Sequence, residues 1–301
     1  MVEWLTLLLV VPGILVPVAL LVGFAACDRI FGIDEIRPSP PIIDSVTGTD
    51  AFTITVVWER GGGLGFQSFQ LERTGPTGAD PPFDVSVSPF VDTGRDPATL
   101  YSYRVRGLDS SGEPGDWSAA DSDTTLPVAS AYAKTLPDSS TGWQGFTLVQ
   151  RIEFAHLAAA GPNVRITVQA SPAGDASIDK VYISQANSAG KKYDSAPDLT
   201  AVYDLNANQG QPFVVPAGMA IPLPVAAYPF NRFQPLLIAI DFSAAPASSI
   251  AQATVTTSEA SVFYLKLPMG EAASATRSDN YAGVDPTPNP FVMLVTNIEV
   301  G

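Results

Sequence analysis

The chain is poor in the residues from which most reactive sites are built. It has one cysteine (Cys27) and one histidine (His156) among 301 residues. A single cysteine excludes an intramolecular disulfide framework, so packing alone must hold the fold. One histidine and one cysteine fall short of the three or four ligands that zinc requires. Nucleophilic catalysis sets a base beside its nucleophile. Cys27 sits at the end of an apolar run far from His156, and no G-x-S-x-G motif occurs. Charge is scarce as well, at 15% of residues, and acids outnumber bases 30 to 16. A net charge of −14 with no run of five bases argues against a nucleic-acid partner, whose phosphates need clustered cations. Phosphate loops are missing too: "RGGGLG" (60–65) lacks the GK[ST] ending and reads as a flexible turn.

What the chain does have is an apolar run, many glycines (24) and prolines (27), and short alternating segments. From Trp4 to Ala26 no charged residue occurs. As a helix this stretch would reach about 35 Å, slightly more than a bilayer's hydrocarbon thickness. The leader Met1-Val2-Glu3-Trp4 has an acid and no base, unlike a cleaved secretory signal. A retained membrane span is therefore the expectation for residues 4–26. The competing reading is an apolar helix packed in a homo-oligomeric assembly such as a virion. Phe24-Ala25-Ala26-Cys27 resembles a bacterial lipobox, which makes Cys27 a lipidation candidate.

Beyond a proline-rich joint at 37–41, "FTITVVWER" alternates Phe52, Ile54, Val56 and Trp58 against Thr53, Thr55 and Glu59. "FQSFQLERTG" places Phe69 and Leu71 inward, and "FDVSVSPF" (83–90) reads as one further strand. In "DPATLYSYRVRGLDSSGEPGDWS" (96–118), Tyr101, Tyr103 and Val105 alternate with Ser102, Arg104 and Arg106. Residues 40 to 127 thereby resemble a fibronectin type III domain. The resemblance implies that Trp58 is its buried strand-B tryptophan. It also implies that Tyr101 is its tyrosine corner, with the hydroxyl bonded back to nearby backbone. Such a domain implies an extracytoplasmic spacer or adhesive module. An Arg-Gly-Asp tripeptide is absent, since "TGRDP" orders these residues differently, and no site is assigned here.

Residues 128–301 offer about eight strand-like segments, separated by Gly, Pro, Asn and Ser turns: 146–154, 163–170, 179–186, 211–218, 219–225, 234–243, 261–268 and 290–300. "LPVASAYAKTLPDSS" (126–140) reads as a linker or first edge strand. The fold expected is all-β: an apolar helix and stalk over 1–36, a fibronectin type III-like sandwich over 37–127, and a jelly-roll-like sandwich over 128–301. The last strand, apolar on both faces, is expected to lie inside its sheet. With "VYISQANSAGKKYDSAPDLTAV" (181–202), "LLIAIDFS" (236–243) and the terminal "VTNIEV" (295–300), the last domain also looks like β-modules of phage and bacterial surface proteins.

Aromatics at turns suggest ring stacking with a glycan or anchoring of a protein. Trp143, Tyr193, Tyr203, Tyr228 and Tyr281 are the candidates. Asp194, Asp198 and Asp204 could supply oxygen ligands to calcium, although no D-x-D-x-D-G spacing occurs. No other cofactor is expected. His156, just after a strand, reads as a surface or structural residue. The functional expectation is a non-enzymatic surface or virion protein, membrane-anchored and extracytoplasmic, whose spacer presents the distal sandwich for glycan binding, protein binding or assembly. The alternatives are a secreted or anchored carbohydrate-active enzyme and an envelope lipoprotein.

Overall fold

A computed structural model describes residues 39–62, 66–266, 270–283 and 289–301. Of residues 1–38 otherwise, it describes only the backbone of Val10–Val11 (β1) and Ile14–Leu15 (β2), an antiparallel pair. The rest of the expected apolar helix, and Cys27, lie outside the described residues. No helix among the described residues is long and apolar enough to cross a membrane.

The N-terminal sandwich comprises β3 (Ile42–Asp50), β4 (Thr53–Glu59), β5 (Ser68–Gly75), β6 (Gly78–Ala79), β7 (Phe83–Val85), β8 (Phe90–Thr93), β9 (Leu100–Leu108) and β10 (Asp121–Thr124). One sheet runs β3-β4-β8. The other runs β10-β9-β5-β6, with β7 also on β5. This is the two-sheet order of a fibronectin type III domain. The alternation seen in the sequence points alternate residues inward. Ile54, Val56, Trp58, Phe69, Leu71, Tyr101, Tyr103 and Val105 share one core. Trp58 is buried edge-on to Phe69, at 5.9 Å between ring centroids. The Tyr101 hydroxyl accepts the Asp96 backbone N–H at 2.9 Å, which is the expected corner bond. The expected strand 83–90 breaks in two. After Val85 the chain turns, and Phe90 begins β8 in the opposite sheet.

Two local features fix this domain. The Phe66 ring lies so close to Gly107 that any β-carbon there would sit 2.0 Å from it, so β9 needs glycine at that point. Asp92, almost fully buried, accepts from the Tyr103 hydroxyl (2.6 Å) and Arg73 Nη1 (2.8 Å). A buried carboxylate left unpaired would be costly, and here both neighbours donate to it.

The C-terminal sandwich comprises β11 (Ala129–Ala133), β12 (Asp138–Thr141), β13 (Phe146–Ile152), β14 (Asn163–Gln169), β15 (Ala176–Gln185), β16 (Thr200–Asp204), β17 (Phe213–Val215), β18 (Ala220–Pro222), β19 (Ala226–Ala227), β20 (Leu236–Phe242), β21 (Ser249–Thr254), β22 (Ala260–Lys266), β23 (Phe291–Met293) and β24 (Val295–Val300). A six-stranded sheet runs β16-β15-β20-β13-β22, with β17 also on β15. Facing it are β11-β24-β14-β18, with β19 also on β14, and β12-β21-β23. Every described pairing is antiparallel. More strands form than the eight expected. The additional ones, such as β16 and the Ser/Ala-rich β21, carry weak strand signals and are recruited by pairing with longer neighbours. Edge strand β11 falls within the segment read as a linker or first edge.

As expected, β24 lies inside its sheet, between β11 and β14. Leu294, fully buried with φ +65°, separates it from β23. Its N–H donates to Ala251 O (2.8 Å) and its carbonyl accepts from Gln169 N–H (2.7 Å). One residue thus carries the chain from the β21 edge into the β14 ladder, at the strain cost of a left-handed leucine.

Strand β20 is buried at all seven positions. Leu236, Ile238, Ile240 and Phe242 face the inter-sheet core, whereas Leu237 and Ala239 join Val149, Phe263, Tyr193, Ala272 and Tyr281 on the outer side. A cap of two loops, 187–198 and 270–283, covers that outer face. Arg277 pins the cap from inside. It is 2% exposed, and its guanidinium donates to Tyr193 O, Ser195 Oγ (3.0 Å) and Ala272 O (3.2 Å).

Candidate functional site

The aromatic candidates close the core instead of projecting from it. Trp143, Tyr193, Tyr203, Tyr228 and Tyr281 are each less than a tenth exposed. Trp143 packs on Phe146 and Tyr264, and its Nε1 donates to Ser140 Oγ at 2.9 Å. Tyr193 stacks on Tyr281, with centroids 4.6 Å apart, within the cap. Tyr203 packs edge-on to Phe213 and donates to Gln211 O. The Tyr228 hydroxyl donates to Asp198. The physical reason is common to all five. Trp143, Tyr203 and Tyr228 fill the inter-sheet core and Tyr193 and Tyr281 cover the outer face, and in each an indole or phenol supplies apolar area while its polar tip finds a local acceptor. Their expected role as exposed stacking platforms is therefore corrected.

The calcium expectation is corrected as well. Asp194 spends both oxygens on backbone, from Arg277 N (2.9 Å) and Lys191 N (3.0 Å). Asp198 serves Tyr228 and Gln185 N. Asp204 accepts from the Tyr182 hydroxyl (2.7 Å) and Asn206 N (2.9 Å). Among the described residues no group of three or more His, Cys, Asp or Glu side chains could hold a metal ion. His156 ends a short 3-10 turn, Phe154–His156, on the surface.

A different place carries site-like geometry. Where the two sandwiches meet, a cleft of about 640 Å³ is lined from the N-terminal side by Phe52, Thr53 and 93–96, and from the C-terminal side by Asn163, Arg165, Phe213, 222–225 and Ala227. The turn between β3 and β4 brings Phe52 across the boundary, where Arg165 covers its ring at 5.1 Å. Phe52 is 1% exposed yet belongs to neither hydrophobic core. Arg165, on β14, pairs with Glu299 on β24 at 2.8 Å and lies 3.9 Å from Asp96. The Asp96 side chain is 71% exposed, while its own N–H is held by the Tyr101 corner. Arg95 is fixed by Thr93 O (3.1 Å) and lies over the Tyr101 ring at 5.7 Å.

The cleft therefore combines apolar walls with planar polar groups: the Arg165 fork, held by Glu299, the open Asp96 carboxylate and the Asn163 amide. Hydroxyls of a ligand could use all three, because each hydroxyl both donates and accepts. Sequence reasoning missed these residues. "TGRDP" reads only as a scrambled tripeptide, and Phe52 reads as one more inward residue of the strand that follows it. Nothing in either segment reveals that the two domains meet there.

No family model matches the chain. Endoglucanase B of Cellulomonas fimi is 31% identical over 111 residues, which are 36% of this chain and 11% of that protein. The chain thus spans about a tenth of the length of this curated relative. Among solved structures, the sixth fibronectin type III domain of a human protein (fibronectin type III domain containing protein 3) is 24% identical, covering 32% of this chain and 91% of that one, with a TM-score of 0.26. The FN5 domain of Drosophila Lar is 26% identical, covering 30% and 98%, with a TM-score of 0.24. Chitinase ChiA74 from Bacillus thuringiensis is 12% identical, covering 64% and 27%, with a TM-score of 0.24. The fibronectin type III likeness of the N-terminal sandwich holds, and its strand order, Trp58 and the Tyr101 corner carry it.

Proposed function

We propose that the chain is a non-catalytic surface module in which a fibronectin type III-like spacer and a jelly-roll-like sandwich together receive a glycan in the cleft between them. The observation that carries this reading is the cleft itself. Its volume lies within the range of ligand sites, it sits at a domain boundary, and a few convergent polar groups interrupt apolar walls. The expected outcome is saturable binding of a soluble neutral polysaccharide in calorimetric titration of the whole chain. Arg165→Ala and Asp96→Ala should each weaken it about tenfold, as expected for losing a hydrogen bond to a charged group. Polysaccharide binding that is absent, or that ignores both substitutions, overturns the reading.

The same proposal places the module outside the cell or on a virion. Residues 4–26 would sit in a membrane or in the apolar core of a homo-oligomer, and Cys27 is the acylation point if the lipoprotein alternative holds. Flotation of the whole chain with lipid vesicles, and the mass of the peptide bearing Cys27, separate these versions.

One observation favours a second reading, part of a carbohydrate-active enzyme. It is the 31% identity to a segment of an endoglucanase. Reducing-sugar release from glycans, abolished by one carboxylate substitution, would establish that reading in place of the first.

A further inference from the structure

The outer face of the six-stranded sheet carries a polar row, none of whose residues lines the interdomain cleft. Asp204, Lys180, Asp241 and Thr147 are successive cross-strand partners on β16, β15, β20 and β13. Directly opposed residues share a face, so all four side chains emerge on one side. Lys180 is thus flanked by an aspartate on each neighbouring strand, at the usual strand spacing of about 4.8 Å.

Neither aspartate bonds to it. Asp241, 4% exposed, accepts from Thr147 Oγ1 (2.6 Å) and Ala272 N (3.0 Å). Burial holds its carboxyl above the ordinary range, against the pull of Thr147, Ala272 N and Lys180. Asp204 accepts from Tyr182 and Asn206 N. Burial would push it up, but these two bonds and the Lys180 charge together leave it below the ordinary range.

The row borders a cavity of about 350 Å³, lined among others by Lys180, Asp179, Asp241, Asn206, Phe146 and Leu205. Asp179 reaches this cavity because the β15–β20 register slips between Ile178 and Lys180. A bulge of this kind re-aims the extra side chain, and the Ser243 hydroxyl then holds one oxygen of Asp179. Gly270 forms the wall beside Asp241, where a β-carbon would sit 2.1 Å from the carboxyl carbon.

The geometry points to a second binding site that takes a single pyranose through a vicinal diol, with Lys180 donating to the two hydroxyl oxygens and Asp179 and Asn206 accepting their protons in hydrogen bonds. A phosphate or other small anion would meet the oxygens of Asp179 and Asp241. A bare cation would meet Lys180. A hydroxyl pair satisfies donor and acceptor together, because an ammonium only donates and a carboxylate only accepts. Phe146 and Leu205 supply the apolar wall for the ring's carbon face, and the volume suits one ring, near the lower end for ligand sites.

Saturation-transfer NMR and calorimetry on the whole chain, with glucose, galactose, mannose and xylose at millimolar concentrations, test this. At least one sugar should saturate, and its deoxy counterpart should bind about tenfold more weakly, because the Lys180 ammonium then loses a hydroxyl to which it donates. Lys180→Met should weaken binding about tenfold or more while melting cooperatively. Asn206→Ala, on an exposed loop that is safe for folding, should weaken it less. The proposal is overturned if no sugar saturates, if neither substitution moves the affinity, or if free glycine saturates the site and sugars do not. Monosaccharide binding is read at Lys180 and Asn206, so failure of the interdomain cleft to bind a polysaccharide leaves this result unaffected.

Discussion

The two sandwiches solve the burial problem differently. In the N-terminal domain each long strand buries one face. β9 alternates between exposed or half-buried and buried residues along its whole length. In the C-terminal domain β20 is buried on both faces, and loops 187–198 and 270–283 complete the outer cover. A sheet covered by loops must take in polar groups along with the loop backbone. Arg277 and Asp241 are accordingly buried and bonded to the backbone of those loops. The N-terminal domain keeps most charges at its surface, as in the Arg104–Glu72 pair at 2.7 Å. Its buried carboxylate, Asp92, answers to the side chains of Tyr103, Arg73 and Arg95.

The comparison can be broken most severely by removing residues 291–301. That deletes β23 and β24, so β11 and β14 lose their shared partner. Calorimetry should show the C-terminal transition gone and the N-terminal one retained. Two cooperative transitions from the truncated chain would contradict the placement of β24. Arg277→Ala should follow in size. It strands the carbonyls of Tyr193 and Ala272 beneath the cap, at about 1 to 3 kcal/mol for each unsatisfied group, and leaves the N-terminal transition unmoved.

Alkaline pH should also separate the domains. Burial, and a carboxylate neighbour in each case, raise Tyr132, Tyr228 and Tyr281 in the C-terminal domain, against Tyr103 in the other. A tyrosine raised in the folded state contributes fully below its unfolded value, near about pH 10, and loses that contribution as pH rises through the folded value. The C-terminal transition should therefore fall first in a pH series of melts, and the reverse order would refute the assignment. Tyr101→Phe should give the smallest effect, about 1 kcal/mol in the N-terminal transition alone, because Asp96 N–H loses its acceptor.

The same contrast explains what was legible. One-faced strands announce themselves by alternation, so Trp58, Tyr101 and the core of the N-terminal domain are readable residue by residue. The two-faced β20 reads as a plain apolar run, "LLIAIDF", which gives the strand but not its cover. Whether "KKYDS" and "TRSDNY" project or fold back over a sheet depends on Arg277 and Asp194, more than eighty residues apart in sequence. Hence Tyr193 and Tyr281 look like exposed loop aromatics and are not. Lys180, Asp204 and Asp241 come together only through register, which no local pattern encodes. The interdomain cleft is harder still. Phe52, in the turn before β4, and Arg165, on β14, belong to separate domains, and neither segment's own pattern points to the other.

The insertion of β24 between β11 and β14 has a consequence for biosynthesis. The ribosome makes β11 and β14 early in the C-terminal domain but the strand that joins them only after residue 294. Until that segment clears the exit tunnel, two bare strand edges wait side by side, open to pairing with neighbouring nascent chains. The N-terminal sandwich ahead of them has by then had its full sequence in solution, so quality control by chaperones should fall mainly on the later-made half.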